Sequence, residues 1–272
     1  MFGHDFVREA YLAGTPIAAS CGLIGWFAVL RAQVFAGDAL SHVAFVGAIA
    51  AAVAGVDERV GLFAFTLAVA LGMAALGERT GEADDAVVGI VFAWVLGVGV
   101  LLVAVLAATP GGATGVTLAT TLFGSIFSLT SGEAAFAAVV ALVGIAVLGA
   151  LVRPLLFSTL DRELAVVRGV PVRVLGAAFI ALLAAITAQS TQAVGALLLL
   201  GLIAAPAGAA HLLTIRPYRG LALSAGIAVA SSWAGLAVAY AVPSLPPSSA
   251  IIGFAAAAYL GAAVWSRQPR DG

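Results

Sequence analysis

Long apolar runs separated by short polar or charged turns make up almost the whole chain. Three stretches, 86–132, 174–215 and 220–266, contain no Asp, Glu, Lys or Arg. Each is longer than the roughly 20 residues that an α-helix needs to cross a bilayer. The pattern predicts spans near 12–30, 39–56, 60–77, 85–108, 133–152, 173–190, 193–213, 220–242 and 248–266. The brief intervals at 57–59 and 190–192 leave the count at eight or nine. Nearly every span is rich in Ala, Gly, Leu and Val. Small residues let helices in lipid approach closely, where packing rather than hydrophobicity joins them. The expected fold is an all-α, polytopic transmembrane helical bundle forming one domain over 1–272.

Composition sharpens this picture. Hydrophobic residues are 63% of 272 and charged residues 9%, and there is no lysine. A soluble domain carries about a quarter charged residues, so too few charges exist here to clothe a soluble surface. The partner surface is membrane lipid. A formal net charge of -1 with no basic patch argues against nucleic acid. Cys21 is the sole cysteine, which rules out an intrachain disulfide or a thiolate cluster. The start is neutral overall (His4, Asp5, Arg8, Glu9), and the first apolar segment reads as the first span rather than a cleaved leader. Arg31, Arg79, the group Arg153–Arg173, Arg216 with Arg219, and Arg267 with Arg270 alternate along the spans. The positive-inside rule then makes these regions cytoplasmic for nine spans, with Arg59 the exception.

Asp38 and His42 stand out because they are ionisable groups between long apolar runs, in Gly37-Asp38-Ala39-Leu40-Ser41-His42. Four residues apart, they share one helix face. A carboxylate and an imidazole at membrane depth mark a cation path, since a lone charge there is costly. Zinc, manganese and iron(II) all accept these donors. Two donors bind weakly, as a site that must release its ion requires. The pair has a second reading, in which Asp38 caps the second span and His42 is a packed donor.

The connection 153–172 is the most charged part of the chain. Thr159 or Asp161 is placed to cap a short helix. Leu160, Leu164 and Val167 form an apolar stripe, Gly169 suits a left-handed end, and Pro171 stops continuation. Such a helix suits either a soluble partner's cleft or the lipid interface. The uncharged connection 109–132 divides into a Pro-Gly turn and a segment 118–130 that reads as an interfacial helix or an outer loop. Gln189, Ser190, Thr191 and Gln192 read as a polar turn or as the lining of an outer vestibule. Glu133 suits a helix start. The four tryptophans, Trp26, Trp94, Trp233 and Trp265, read as interface anchors or lipid-facing packing.

There is no GxxxxGK[ST] phosphate loop, which an absence of lysine precludes, and no HExxH motif. The chain is therefore expected to be non-catalytic, with no cofactor of its own.

Five segments together resemble one family. They are Gly25-Trp26-Phe27-Ala28-Val29-Leu30-Arg31, Gly37 to His42, and Leu122-Phe123-Gly124-Ser125. The fourth is Leu160-Asp161-Arg162-Glu163-Leu164-Ala165 with Gly169-Val170-Pro171-Val172, and the fifth runs from Gln192 to Leu198 and on to Ala205-Pro206-Ala207-Gly208-Ala209-Ala210. In order and spacing, over roughly 12–265, they resemble the permease subunits of metal-ion ABC transporters, which import zinc, manganese or iron(II). The resemblance implies the fold of that permease type and a location in the bacterial inner membrane. It also implies pairing with a second copy of this chain, two cytoplasmic ATPase subunits that bind ATP, and an extracytoplasmic metal-binding protein. Asp38 and His42 match the pair implicated in metal handling. Leu160, Asp161, Arg162, Glu163, Leu164, Ala165, Gly169 and Pro171 match the helix, within 153–172, that rests in an ATPase groove. Zinc is the expected cargo, with manganese or iron(II) as alternatives. The family often has proline where Val46 stands, and arginine where His211 stands. Serine occurs at Ser248 and Ser249 where glycine is frequent. A stand-alone secondary metal transporter driven by an ion gradient is the other reading of the residues.

Overall fold

The computed structural model describes residues 5–77, 84–108, 124, 126–242 and 244–267. His4, Arg79, Arg270 and most of the connection 109–132, including Leu122, Phe123 and Ser125, lie outside the described residues. The helices are α1 (Asp5–Leu30), α2 (Val34–Ala54), α3 (Glu58–Leu76), α4 (Asp85–Ala108), α5 (Ser131–Leu160), α6 (Arg162–Val167), α7 (Val172–Val194), α8 (Ala196–Leu213), α9 (Pro217–Ala241) and α10 (Pro247–Arg267). A short 3-10 turn, Ile126–Ser128, precedes α5. Eight of these are long and apolar enough to cross a membrane. The shorter apolar stretch Leu199–Leu213 of α8 is the ninth apolar helix.

Most predicted ends are close, and the departures have physical causes. The fifth span runs on through Pro154 to Leu160, so the connection after it is shorter than expected. The sixth does not stop at a polar turn. α7 continues through Gln189, Ser190, Thr191 and Gln192, and the Thr191 hydroxyl donates back to the Thr187 carbonyl at 2.8 Å. The break falls at Gly195, whose φ of 89° and ψ of 153° suit glycine alone.

The described helices form two compact units. In the first, α1 packs along α9 and α9 along α10. Small residues set the separation. A Cβ on Gly22 would stand 2.7 Å from the Ser224 carbonyl oxygen, and the Ser224 hydroxyl donates to the Gly22 carbonyl at 2.6 Å. Gly22→Val forces backbone apart at this crossing. It is expected to lower stability by about 1–3 kcal/mol or more, read as a reduced melting temperature in detergent. A wild-type melting curve would contradict this packing.

Trp26 belongs to this unit and is buried, not lipid-facing. Its ring stacks on His211 with centroids 5.0 Å apart, and His211 Nε2 donates to the Trp26 carbonyl at 3.1 Å. His211 is thereby explained by packing. Trp94, Trp233 and Trp265 are exposed, as membrane-facing tryptophans should be.

The second unit holds α2, α3, α4, the later half of α5, α6 and α7. Here α2 packs tightly on both α3 and α4. A Cβ on Gly47 would meet the Gly61 carbonyl oxygen of α3 at 2.6 Å. A Cβ on Gly99 of α4 would meet Val46 Cγ2 at 2.7 Å. Val43, Phe45, Val46, Ile49, Val95 and Ala196 form one buried cluster, and Ala44, Ala48, Leu62 and Ala188 another. α2 is helical straight through Val46.

Candidate functional site

α2 begins at Val34, one turn before Asp38, so Asp38 is inside the helix rather than its cap. That removes the capping explanation. Asp38 and His42 are one turn apart on the same face and both are half-buried, while Ala39, Leu40, Ser41 and Val43 between and beside them are buried. Apolar neighbours on α3 and α4 fix α2, so packing holds the pair in place.

His42 faces one aromatic ring of α4. Its imidazole meets Phe92 of α4 edge-on, with centroids 5.2 Å apart, and Phe92 meets Phe35 in the same way at 5.9 Å. Ser41 points elsewhere. Its hydroxyl lies 2.7 Å from the Asp38 carbonyl and 3.0 Å from the Ala196 carbonyl at the start of α8. The positive-φ Gly124 lies against the backbone of Val194 and Gly195 at the same break. Three sequence segments distant along the chain, at 37–42, at 124 and at 192–198, therefore meet around the α7–α8 break.

Among the described residues, no third His, Cys, Asp or Glu joins Asp38 and His42 to form a cluster. One chain offers a carboxylate oxygen and an imidazole nitrogen, a hard–borderline donor set suited to divalent first-row metals. The sequence reading misplaced Gln189. It is 2% exposed, and neither carboxamide atom has a hydrogen-bond partner among the described residues. A buried primary amide without a partner is unusual. The signal that could have found it is its position at helical depth, hidden by the polar run around it.

Within 153–172, residues 153–160 continue α5 and Arg162–Val167 form the short helix α6. Asp161 is the cap, its Oδ1 accepting from the Leu164 N–H at 2.9 Å, and Thr159 instead bonds the Leu155 carbonyl within α5. Gly169, with φ of 77°, ends α6 in a Schellman arrangement. The Val170 N–H donates to the Ala165 carbonyl, and the Gly169 N–H to the Val166 carbonyl, each at 3.0 Å. Pro171 then opens α7. Ala165 is fully buried and anchors the helix, whereas Leu160, Leu164 and Val167 are exposed. Val167 is 81% exposed, and Val166, outside the expected stripe, is exposed as well. Arg162 is half-buried and Glu163 exposed. A six-residue helix depends on its cap. Asp161→Ala is expected to weaken it by about 1 kcal/mol, seen as faster amide exchange over 162–168 with rates in α7 unchanged. Equal exchange in both proteins would contradict the cap's role.

The model of the ABC 3 transport family matches residues 3–266. The chain is 28% identical over 236 residues to the manganese transport system membrane protein MntC of Halalkalibacterium halodurans, covering 87% of this chain and 79% of that one. It is 27% identical over 231 residues to the chelated iron transport system membrane protein YfeC of Yersinia pestis, covering 85% and 76%. Its fold is similar to that of a chain in PsaBC from Streptococcus pneumoniae, solved in complex with a Fab. The TM-score is 0.82 at 23% identity, over 96% of this chain and 92% of that one. With its eight apolar helices of spanning length, the chain belongs to the ABC 3 transport family as a multi-pass protein of the bacterial plasma membrane.

Proposed function

We propose that this chain is the membrane permease subunit of an ATP-driven importer of divalent transition-metal ions. The observation that carries the proposal is the Asp38–His42 pair, half-buried on one face of a packed apolar helix. A carboxylate placed there has a cost unless a cation accompanies it. Two donors per chain are too few for tight binding, and a second copy related by two-fold symmetry would double the set. An entering dication relieves the repulsion between carboxylates so paired. The sequence supplies no phosphate loop, so ATP is bound and hydrolysed by two cytoplasmic partner subunits, and this chain is non-catalytic. Leu160, Asp161, Arg162, Glu163 and Leu164, on a helix anchored by the buried Ala165 and ended by Gly169 and Pro171, form the contact through which ATPase closure is transmitted. An extracytoplasmic binding protein delivers the ion, and the bundle alternates its access.

The preferred ion is the finer part of the proposal. Imidazole and a sparse site favour zinc on chemical grounds. The names of relatives such as MntC favour manganese. Both ions are accepted by Asp and His, so both belong in the test. The chain is assembled in detergent with its ATPase and binding protein, and ATP turnover is measured with the binding protein empty, manganese-loaded or zinc-loaded. Stimulation by one loaded form supports the proposal and identifies the cargo. A chain that assembles with no ATPase, yet carries metal down a proton gradient, is a secondary transporter.

A further inference from the structure

Within the first unit, α1 and the first half of α5 leave a groove of about 740 Å³ between them. The Ser131 hydroxyl bonds the Glu9 carboxylate, which ties the start of α5 to the second turn of α1. The groove then runs from Arg8 past Leu12, Pro16 and Ala19 of α1, against Ala138 and Leu142 of α5. The small Ala19 and Ala138 make the room, while the exposed Leu12 and Leu142 stand beside it. From Arg8 to Ala19 is eleven residues, about 16 Å of helix. That is half of the roughly 30 Å hydrocarbon core, or the depth of one leaflet.

The mouth is polar and carries charges of both signs. Arg8 Nη1 lies 3.8 Å from Asp5 Oδ1, and both side chains are largely exposed, at 64% and 91%. Such a pair is weak and open to exchange. Tyr11 and Thr15 are already engaged. The Tyr11 hydroxyl donates to the Trp233 carbonyl at 3.2 Å, and the Trp233 indole N–H donates to Thr15 Oγ1 at 2.9 Å. The groove volume lies within the roughly 300–1,000 Å³ of small-ligand sites. A neighbouring helix about 10 Å across would not enter a recess cut between two helices, whereas an acyl chain would.

We infer that this groove binds one glycerophospholipid with a zwitterionic phosphoethanolamine headgroup. Its phosphate sits on Arg8, its ammonium on Asp5, and one acyl chain lies along Leu12, Pro16, Ala19, Ala138 and Leu142. The charge pattern selects the headgroup. A phosphoglycerol headgroup would set its single negative charge beside the carboxylates of Asp5 and Glu9. A phosphocholine headgroup has no N–H to donate to Asp5. Phosphate on Arg8 is a charge-assisted contact of the strong kind.

The test uses the purified full chain, delipidated in detergent and titrated with phosphatidylethanolamine, phosphatidylglycerol or phosphatidylcholine of identical chains. Bound lipid is counted by native mass spectrometry. Phosphatidylethanolamine is expected to bind about tenfold more tightly than either competitor. Asp5→Asn, an exposed change that leaves packing alone, should erase that preference, Arg8→Gln should weaken all three lipids alike, and Ala138→Trp should fill the groove and remove binding. Equal binding of the three lipids overturns the inference, as does a preference unchanged by Asp5→Asn. A dimer without bound lipid that Ala138→Trp dissociates also overturns it and assigns the face to a second copy.

Discussion

Asp38→Ala is expected to abolish ATP-dependent metal uptake, by more than about 100-fold, while the protein still folds and assembles. Asp38 is the sole acidic residue of α2, and the helix around it is held by Val43, Phe45, Val46 and Ile49 rather than by the carboxylate. Removing a half-buried carboxylate therefore leaves the packing intact. It does remove the one negative charge that this helix presents to a dication at membrane depth, where desolvation is costly. About 2.7 kcal/mol lost at the barrier corresponds to the stated factor. Asp38→Asn keeps the shape and loses the charge, so it should fail nearly as badly. His42→Ala, which removes an imidazole donor beside Phe92, should cost less, about tenfold. Near-normal uptake by a well-expressed Asp38→Ala protein would mean that the cation path does not use this helix face.

The second large effect is expected at the short helix α6. Leu164→Asp should prevent co-purification of the ATPase subunit and remove stimulated ATP turnover. The Leu164 side chain is 41% exposed on the same outer face as Val167, and its backbone N–H, which Asp161 caps, is unaffected by the change. Burying a leucine in a partner's groove contributes about 1.5–3 kcal/mol, and an aspartate there adds the cost of an unpaired charge. Together these weaken association by more than about 100-fold. Glu58→Gln, at an exposed position of α3 outside that contact, is the control and should bind normally. Unchanged co-purification of Leu164→Asp would remove α6 from the contact.

The class of fold was legible because apolar runs longer than a bilayer is thick leave little choice, and the expected all-α bundle of eight or nine spans is borne out. Details of the same chain were hidden where local polarity and helical depth disagree. Gln189 to Gln192 read as a turn, since polar residues usually mark one. The helix holds them because Thr191 bonds back to Thr187, and because Gly195 takes the backbone geometry that ends α7 four residues beyond Thr191. Asp38 read as a possible cap since the second span was expected to begin at 39, yet Phe35 and Ala36 already belong to α2. Trp26 read as an anchor, but His211, 185 residues away, offers it a stacking partner that no local pattern announces. The short helix after α5 was the most legible element of all. A cap residue, a leucine stripe, a glycine and a proline each state their role locally, and only the exposed Val166 was missed. Contacts around the α7–α8 break, from Ser41 and Gly124, are tertiary and have no period in the sequence.

The most direct test of metal import is flux. Proteoliposomes carrying this chain with its ATPase, and with the metal-loaded binding protein outside, are followed for manganese and zinc uptake with and without enclosed ATP. Uptake of one of these ions that requires both ATP and the binding protein is the predicted result. Uptake that persists without ATP, or a stable complete complex that moves neither ion, would contradict it.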